Sequence, residues 1–483
     1  MTILARFLMI AYTMKKYVVL LFLSFALYGT AQQLTLKKGT IIDAVPVHDS
    51  ISESFALYLP TGFEVSKKWP VVFVYDMQGR GKQALSMFRG AAEEQGYILA
   101  ASNNVQDSLT LSKNILISSR MYNRVFSILP IEKNRSYTAG FSGGARLASL
   151  IPTFIKEVRG VISCGSPIAN EEILSSKNRF HFIGIAGNAD YNYTSMLSSQ
   201  KILNKLKYPN QLLVFEGGHE WPRTEHIGKA MEIFTLASMA KGEVPKEDSF
   251  VNDTYRKNLG SVSALIATNK PLLANKLLGE VIDMYRAHKN VDSLKASVKT
   301  LKRSKLYKIN NRNRNAVLFK ESLIREDYAY YLEEDVLTYN FNNLGWWNYQ
   351  MEELKKFNKS TNVFEQRMGK RLKGYINALI ADNIDLINVQ HVIDGEALNF
   401  LWMLKTITEP KDFDPYLKVI SYSAQTEDYG TALFYLEELL KNGYTNKAEL
   451  YALEQTALLR ITPEFNQLVE KYLKDARYEV IEE

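Results

Sequence analysis

The chain contains a single cysteine, Cys164, among 483 residues. No disulfide can close within it, so its core must hold it together. Cys164 sits in an apolar strand-like run and reads as an inert buried thiol. Histidine is scarce as well, with only His48, His181, His219, His226, His288 and His391. None of them joins cysteines or carboxylates at metal-ligand spacing, and no glycine-rich phosphate loop is present, so neither metal nor cofactor is expected. Strong charge is also lacking. The formal +7 falls to +4 once Arg6, Lys15 and Lys16 of the N-terminal segment are set aside. The basic cluster Lys299 to Lys308, with Arg312 and Arg314, reads as a solvated helix face and adjoining loop. A nucleic-acid surface would need a wider basic patch, and no such partner is expected.

What is present begins with an export signal. Met14-Lys15-Lys16 supplies a positive start, Tyr17 to Leu27 an apolar stretch too short to span a bilayer comfortably, and Gly29-Thr30-Ala31 a small-residue cleavage site. Residues 1–31 are therefore expected to be a signal peptide cleaved after Ala31, with 1–13 as an upstream extension. This predicts a periplasmic or secreted protein with no stable membrane span after cleavage. An uncleaved anchor is the alternative, and the cleavage point lacks the cysteine of a lipoprotein.

The sharpest chemical signal is Gly140-Phe141-Ser142-Gly143-Gly144, which follows the strand-like run Arg135 to Ala139 and opens the helix-like run Ala145 to Phe154. A serine attacks well only on a strained turn beside a general base, and glycines two before and two after let strand and helix close around it. Ser142 is the candidate nucleophile. His219 is the candidate base, carried by Glu216-Gly217-Gly218-His219-Glu220-Trp221-Pro222 after the buried strand Gln211 to Phe215. His226 is assigned to the surface of the next helix, and His181, inside the apolar run Phe180 to Ile185, to a satisfied core or edge-strand position. Asp190 leaves the strand Arg179 to Ala186 and is the candidate acid, positioned to fix the imidazole tautomer, with Glu216 and Asp76 as substitutes. Oxyanion donors are expected from the backbone of Gly143 and, after the apolar strand Pro70 to Tyr75, from Met77 or Gln78. Asn103, Asn104 and Trp221 are candidate pocket residues.

With Gly140 to Gly144 as the elbow, Asp190 in the acid loop and Gly218-His219-Glu220-Trp221-Pro222 as the histidine segment, residues 40–240 resemble the α/β-hydrolase superfamily. The likeness is to secreted esterases of the polyhydroxybutyrate-depolymerase-like and feruloyl-esterase-like group. Two features depart from that group: Tyr75-Asp76 stands where such esterases usually carry His-Gly, and the cysteine pairs of many members are missing. The resemblance implies an exported serine esterase acting on a small-molecule, carbohydrate or polyester-type ester. A serine peptidase with the same residue order and a non-catalytic binding protein on a hydrolase scaffold are the alternatives.

Strand-like runs separated by helical ones predict a doubly wound, mostly parallel α/β sheet over residues 32–240. After Lys241-Gly242-Glu243-Val244-Pro245 the pattern turns helical. Leu272, Leu273, Leu277 and Leu278, then Leu433, Leu436, Leu439 and Leu440, recur at helix spacing. Residues 241–483 are therefore expected to form an all-α helical-hairpin domain, somewhat like tetratricopeptide hairpins around Ala432 to Leu473 but without a firm repeat period. Packing against the hydrolase and docking a protein partner are both open roles for it.

Overall fold

The computed structural model describes residues 35–48 and 50–478. The expected signal segment lies outside the described residues. Eight strands form one sheet: β1 (Ile41–His48), β2 (Ile51–Tyr58), β3 (Trp69–Tyr75), β4 (Ile98–Ser102), β5 (Ile131–Phe141), β6 (Val158–Cys164), β7 (His181–Gly187) and β8 (Asn210–Phe215). Their order across the sheet is β1-β2-β4-β3-β5-β6-β7-β8. The first two pairings are antiparallel, and every one from β4 to β8 is parallel. Parallel neighbours need crossovers. These are supplied by α1 (Gly81–Gln95), α2 (Leu111–Ile128), α3 (Gly143–Phe154) and α4 (Tyr193–Lys205), and α5 (Thr224–Ala240) follows β8. The fold class is the one the sequence predicts, a doubly wound, mostly parallel α/β sheet followed by an all-α region.

Both faces of the sheet are covered, which explains its unbroken apolar strands. Val72, Val74, Leu99, Ala139 and Ile183 pack on one side with α1 and α5, while Val71, Phe73, Ala100, Val161 and Phe182 pack on the other with α2 and α3. Cys164 is fully buried, and desolvation pushes its thiol pKa up. His181 is a core residue bonded to Gln211, and burial pulls its imidazole down to about 4.

Eleven further helices follow among the described residues: α6 (Asp248–Ala267), α7 (Pro271–Tyr285), α8 (Asp292–Arg303), α9 (Lys305–Thr338), α10 (Leu344–Asn358), α11 (Val363–Asn388), α12 (Gly395–Thr408), α13 (Asp414–Gln425), α14 (Tyr429–Lys441), α15 (Lys447–Ala452) and α16 (Pro463–Leu473). Packing runs continuously past residue 241, since Val251, Val262, Leu278, Val281 and Tyr285 share one apolar cluster with Ile183 and Phe234. Two separate cores hold the rest, one around Tyr328, Trp347, Leu372 and Phe400, the other around Ile420, Leu436 and Phe465. No described helix is long and apolar enough to cross a membrane.

The stretch Lys299 to Lys308 is helix on both sides of Ser304, whose side chain caps α9 by accepting from the Tyr307 N–H at 3.2 Å. Arg312 and Arg314 therefore lie on α9 and not in a loop.

Candidate active site

Ser142 ends β5 and opens α3 at φ 52° and ψ −119°, a backbone conformation a side chain tolerates only when its surroundings enforce it. The enforcement is steric. A methyl group on Gly140 would lie 2.3 Å from the Gly144 carbonyl carbon, and one on Gly144 would lie 2.2 Å from the Tyr75 carbonyl oxygen. Neither contact can relax by moving a side chain. A methyl on Gly143 meets only side-chain atoms, Asp107 Oδ1 at 3.1 Å and Met77 Cγ at 3.2 Å. Gly144→Ala is accordingly expected to destabilise the protein by at least about 3 kcal/mol, and Gly143→Ala by about 1 kcal/mol or less. Urea denaturation distinguishes them, and equal losses would contradict this account of the turn.

The His219 ring bridges the two other groups. Its Nε2 is 3.0 Å from Ser142 Oγ, and its Nδ1 is 3.0 Å from Asp190 Oδ1. Asp190 is 1% exposed, and the same Oδ1 accepts the Asn192 N–H at 2.8 Å. The loops carrying acid and base are joined to each other: the Asn188 N–H donates to the Phe215 carbonyl at 2.9 Å and the Ala189 N–H to the Gly217 carbonyl at 2.8 Å. Phe141 packs against His219 in a tilted arrangement with centroids 4.7 Å apart, and Trp221 packs against Phe141 at 5.3 Å. Trp221 thus reaches the histidine through Phe141.

Other expected site residues are placed elsewhere. The Gln78 N–H is occupied by Asp76 Oδ1 at 2.9 Å, an Asx-type turn that removes it from the oxyanion donors. The N–H groups of Gly143 and Met77 find no protein acceptor among the described residues, and the Met77 side chain lies against Gly143. Asn103 donates to the Asp43 carbonyl and Ser54 Oγ, and Asn104 accepts the Ser54 N–H, so both anchor β2 and do not line the serine site. His226, expected on the surface, is half-buried, with its ring packed against Phe215. Neither substitute acid is free. Asp76 pairs with Arg80, and Glu216 with Lys270 and Arg367.

Four residues not anticipated by local pattern complete the site. Gly165, at φ +65°, lies where a β-carbon would be 3.1 Å from Asp190 Oδ2 and 3.2 Å from His219 Cε1, so only glycine fits beneath the pair. The Tyr191 hydroxyl is 3.4 Å from His219 Nε2, with the rings 4.4 Å apart. Arg325 of α9 donates to the Tyr191 carbonyl at 2.9 Å and to Thr194 Oγ1 at 3.0 Å. Arg371 of α11 donates to the Asn188 carbonyl at 2.6 Å and forms a buried pair with Glu321 of α9. The helical region therefore grips the acid loop on both sides of Asp190. Only the position of Tyr191 beside Asp190 could have signalled any of this, since the arginines lie far away in sequence.

Such an array can pass a proton from a hydroxyl to an imidazole while a buried carboxylate holds the other ring nitrogen. No group of three His, Cys, Asp or Glu among the described residues could hold a metal ion.

No protein-family model matches the chain, and no curated protein matches it. Solved structures resemble part of it. Est1E from Butyrivibrio proteoclasticus aligns over 42% of this chain and 100% of its own, at 15% identity and a TM-score of 0.34. An inhibited esterase B from Lactobacillus rhamnosis aligns over 49% and 99%, at 14% identity and a TM-score of 0.36. FphF, a fluorophosphonate-binding serine hydrolase of Staphylococcus aureus, aligns over 41% and 99%, at 14% identity and a TM-score of 0.35.

Proposed function

We propose that this chain is an exported serine hydrolase that cleaves carboxylic esters through an acyl-serine intermediate. The observation that carries the reading is the unbroken line from Ser142 Oγ through His219 to Asp190, both links at 3.0 Å. Export rests on the apolar, positively started segment ending at Ala31.

Ser142 Oγ attacks the ester carbonyl carbon as its proton passes to His219 Nε2. The resulting oxyanion is received by the N–H groups of Gly143 and Met77, and Asp190 balances the imidazolium. Collapse breaks the bond to the alcohol oxygen, which leaves with the proton from His219. Water then gives a proton to His219 and attacks the acyl carbon, and return of that proton to Ser142 releases the acid.

Asp107 favours the second reading, a binding protein on a hydrolase scaffold, because a carboxylate next to Gly143 would repel an oxyanion. Burial, with repulsion from Asp385 and Asp76, pushes the Asp107 carboxyl up toward its neutral form, which softens that objection. A fluorophosphonate separates the two. The hydrolase reading expects one covalent adduct per chain, mapped by peptide mass to Ser142, together with turnover of short-chain nitrophenyl esters. A folded protein that shows neither is the binding module, and release of peptides without ester turnover points to a peptidase.

A further inference from the structure

Between the sheet and the helical region, behind the acid loop, lies a cavity of about 360 Å³. Ser142, His219 and Asp190 do not line it. Its volume falls in the range of small-molecule sites. One wall is apolar, with Val214 from β8, Leu273 from α7, Val317 and Leu318 from α9, and Phe364 from α11. The other wall is rich in hydrogen-bond donors, among which the Glu216 carboxylate is the one acidic group lining the cavity.

Three guanidiniums, Arg314, Arg367 and Arg371, gather around Tyr193 here. Their compensation is uneven. Arg371 holds Glu321 in a bidentate pair, with Arg325 3.9 Å from the same carboxylate, and Arg367 shares Glu216 with Lys270. Arg314 bonds only to the neutral side chains of Asn311 and Asn315. Burial outweighs the attraction of Glu216 and lowers the pKa of Arg367, as expected for a guanidinium short of an anion. Asn188, 7% exposed, lines the same cavity, and its Nδ2 has no hydrogen-bond partner. A buried donor left unpaired is costly, and every unmet polar group named here is a donor.

We propose that this cavity binds an organic carboxylate with an apolar body, its carboxylate held by Arg314, Arg367 and Asn188 Nδ2 and its body against Val214, Val317 and Leu318. The planar guanidinium fork suits a carboxylate, and the apolar wall excludes a bare inorganic anion as the best ligand. Asn188 stands two residues before Asp190, so an occupant touches the segment that carries the acid. The assignment does not depend on whether Ser142 attacks an ester.

Calorimetric titration and thermal shift of the full chain with sodium octanoate test it, with 1-octanol, octyltrimethylammonium and inorganic phosphate as comparators. Octanoate should bind saturably at roughly millimolar concentration or below and raise the melting temperature, while the other three bind at least about tenfold more weakly. Arg314→Met lies on a partly exposed helix face and should fold normally; it and Arg367→Met should each weaken octanoate about tenfold. Octanoate binding that survives both substitutions, equal binding of 1-octanol or phosphate, or no octanoate binding at about 10 mM overturns the proposal.

Discussion

Ser142→Ala is expected to lower kcat for a short-chain nitrophenyl ester by on the order of 10⁵-fold or more, and Asp190→Ala by about 10⁴-fold, the order seen when members of such a triad are removed singly. Asp190→Asn should lose less than the alanine variant, because here the asparagine oxygen is held toward His219 and the tautomer that costs so much elsewhere is kept. The difference follows from which oxygen is used. Asp190 Oδ1 accepts both the His219 Nδ1–H and the Asn192 N–H, while Oδ2 is buried without a partner. An asparagine held by the Asn192 N–H keeps its oxygen toward His219, so the tautomer that leaves Nε2 free to take the serine proton survives. What vanishes is the negative charge opposite the imidazolium, and an unpaired Nδ2 takes the place of Oδ2. Steady-state kinetics on the three variants decide it. An Asp190→Ala protein retaining a tenth of wild-type kcat would remove Asp190 from the mechanism, and an Asn variant as poor as the alanine one would show that the amide flips.

The parts of the site legible in sequence are those whose chemistry leaves a local mark. A strained serine turn demands glycines at fixed offsets because backbone atoms come within contact distance, and Gly140 and Gly144 meet that demand sterically. His219 was recognisable because the Gly217-Gly218 turn marks a loop at a strand end. Gln78 was misassigned because position along a loop does not reveal which N–H a neighbouring side chain will cap, and Asp76 caps it. Asn103 and Asn104 follow a strand end, as pocket residues do, yet face β2, a strand absent from the sequence reading. The β1–β2 hairpin leaves a weak sequence mark because Ile51-Ser52-Glu53-Ser54 is exposed or half-buried and alternates weakly. Gly165, Arg325 and Arg371 had no local signal at all, since each acts on a loop that only tertiary folding brings near.

Breaking the buried pair that steadies this loop is the last large effect expected. Glu321 is fully buried and Arg371 nearly so, and Arg371 Nη1 donates to the Asn188 carbonyl. Glu321→Gln leaves that guanidinium uncompensated, and breaking such a pair costs about 3–5 kcal/mol. Paired replacement by Met at both positions should recover part of that stability, because well-packed apolar side chains often replace a buried ion pair at little cost, while Arg325, 3.9 Å from Glu321, loses its carboxylate as well. Activity should not follow stability. In the double-Met protein the Asn188 carbonyl has lost its donor, one of the two supports flanking Asp190, and displacement of the acid by a fraction of an ångström should lower kcat by about tenfold or more with KM little changed. A change at the distant Asp335, whose carboxylate holds Trp347 Nε1 at 2.8 Å and Asn343 Nδ2 at 2.7 Å, provides the contrast. Asp335→Asn should cost stability and leave kcat intact. If the double-Met protein is as active as wild type, the helical region supports the fold alone; if it is stable and slow, the helices are part of the machinery that holds the acid in register with His219.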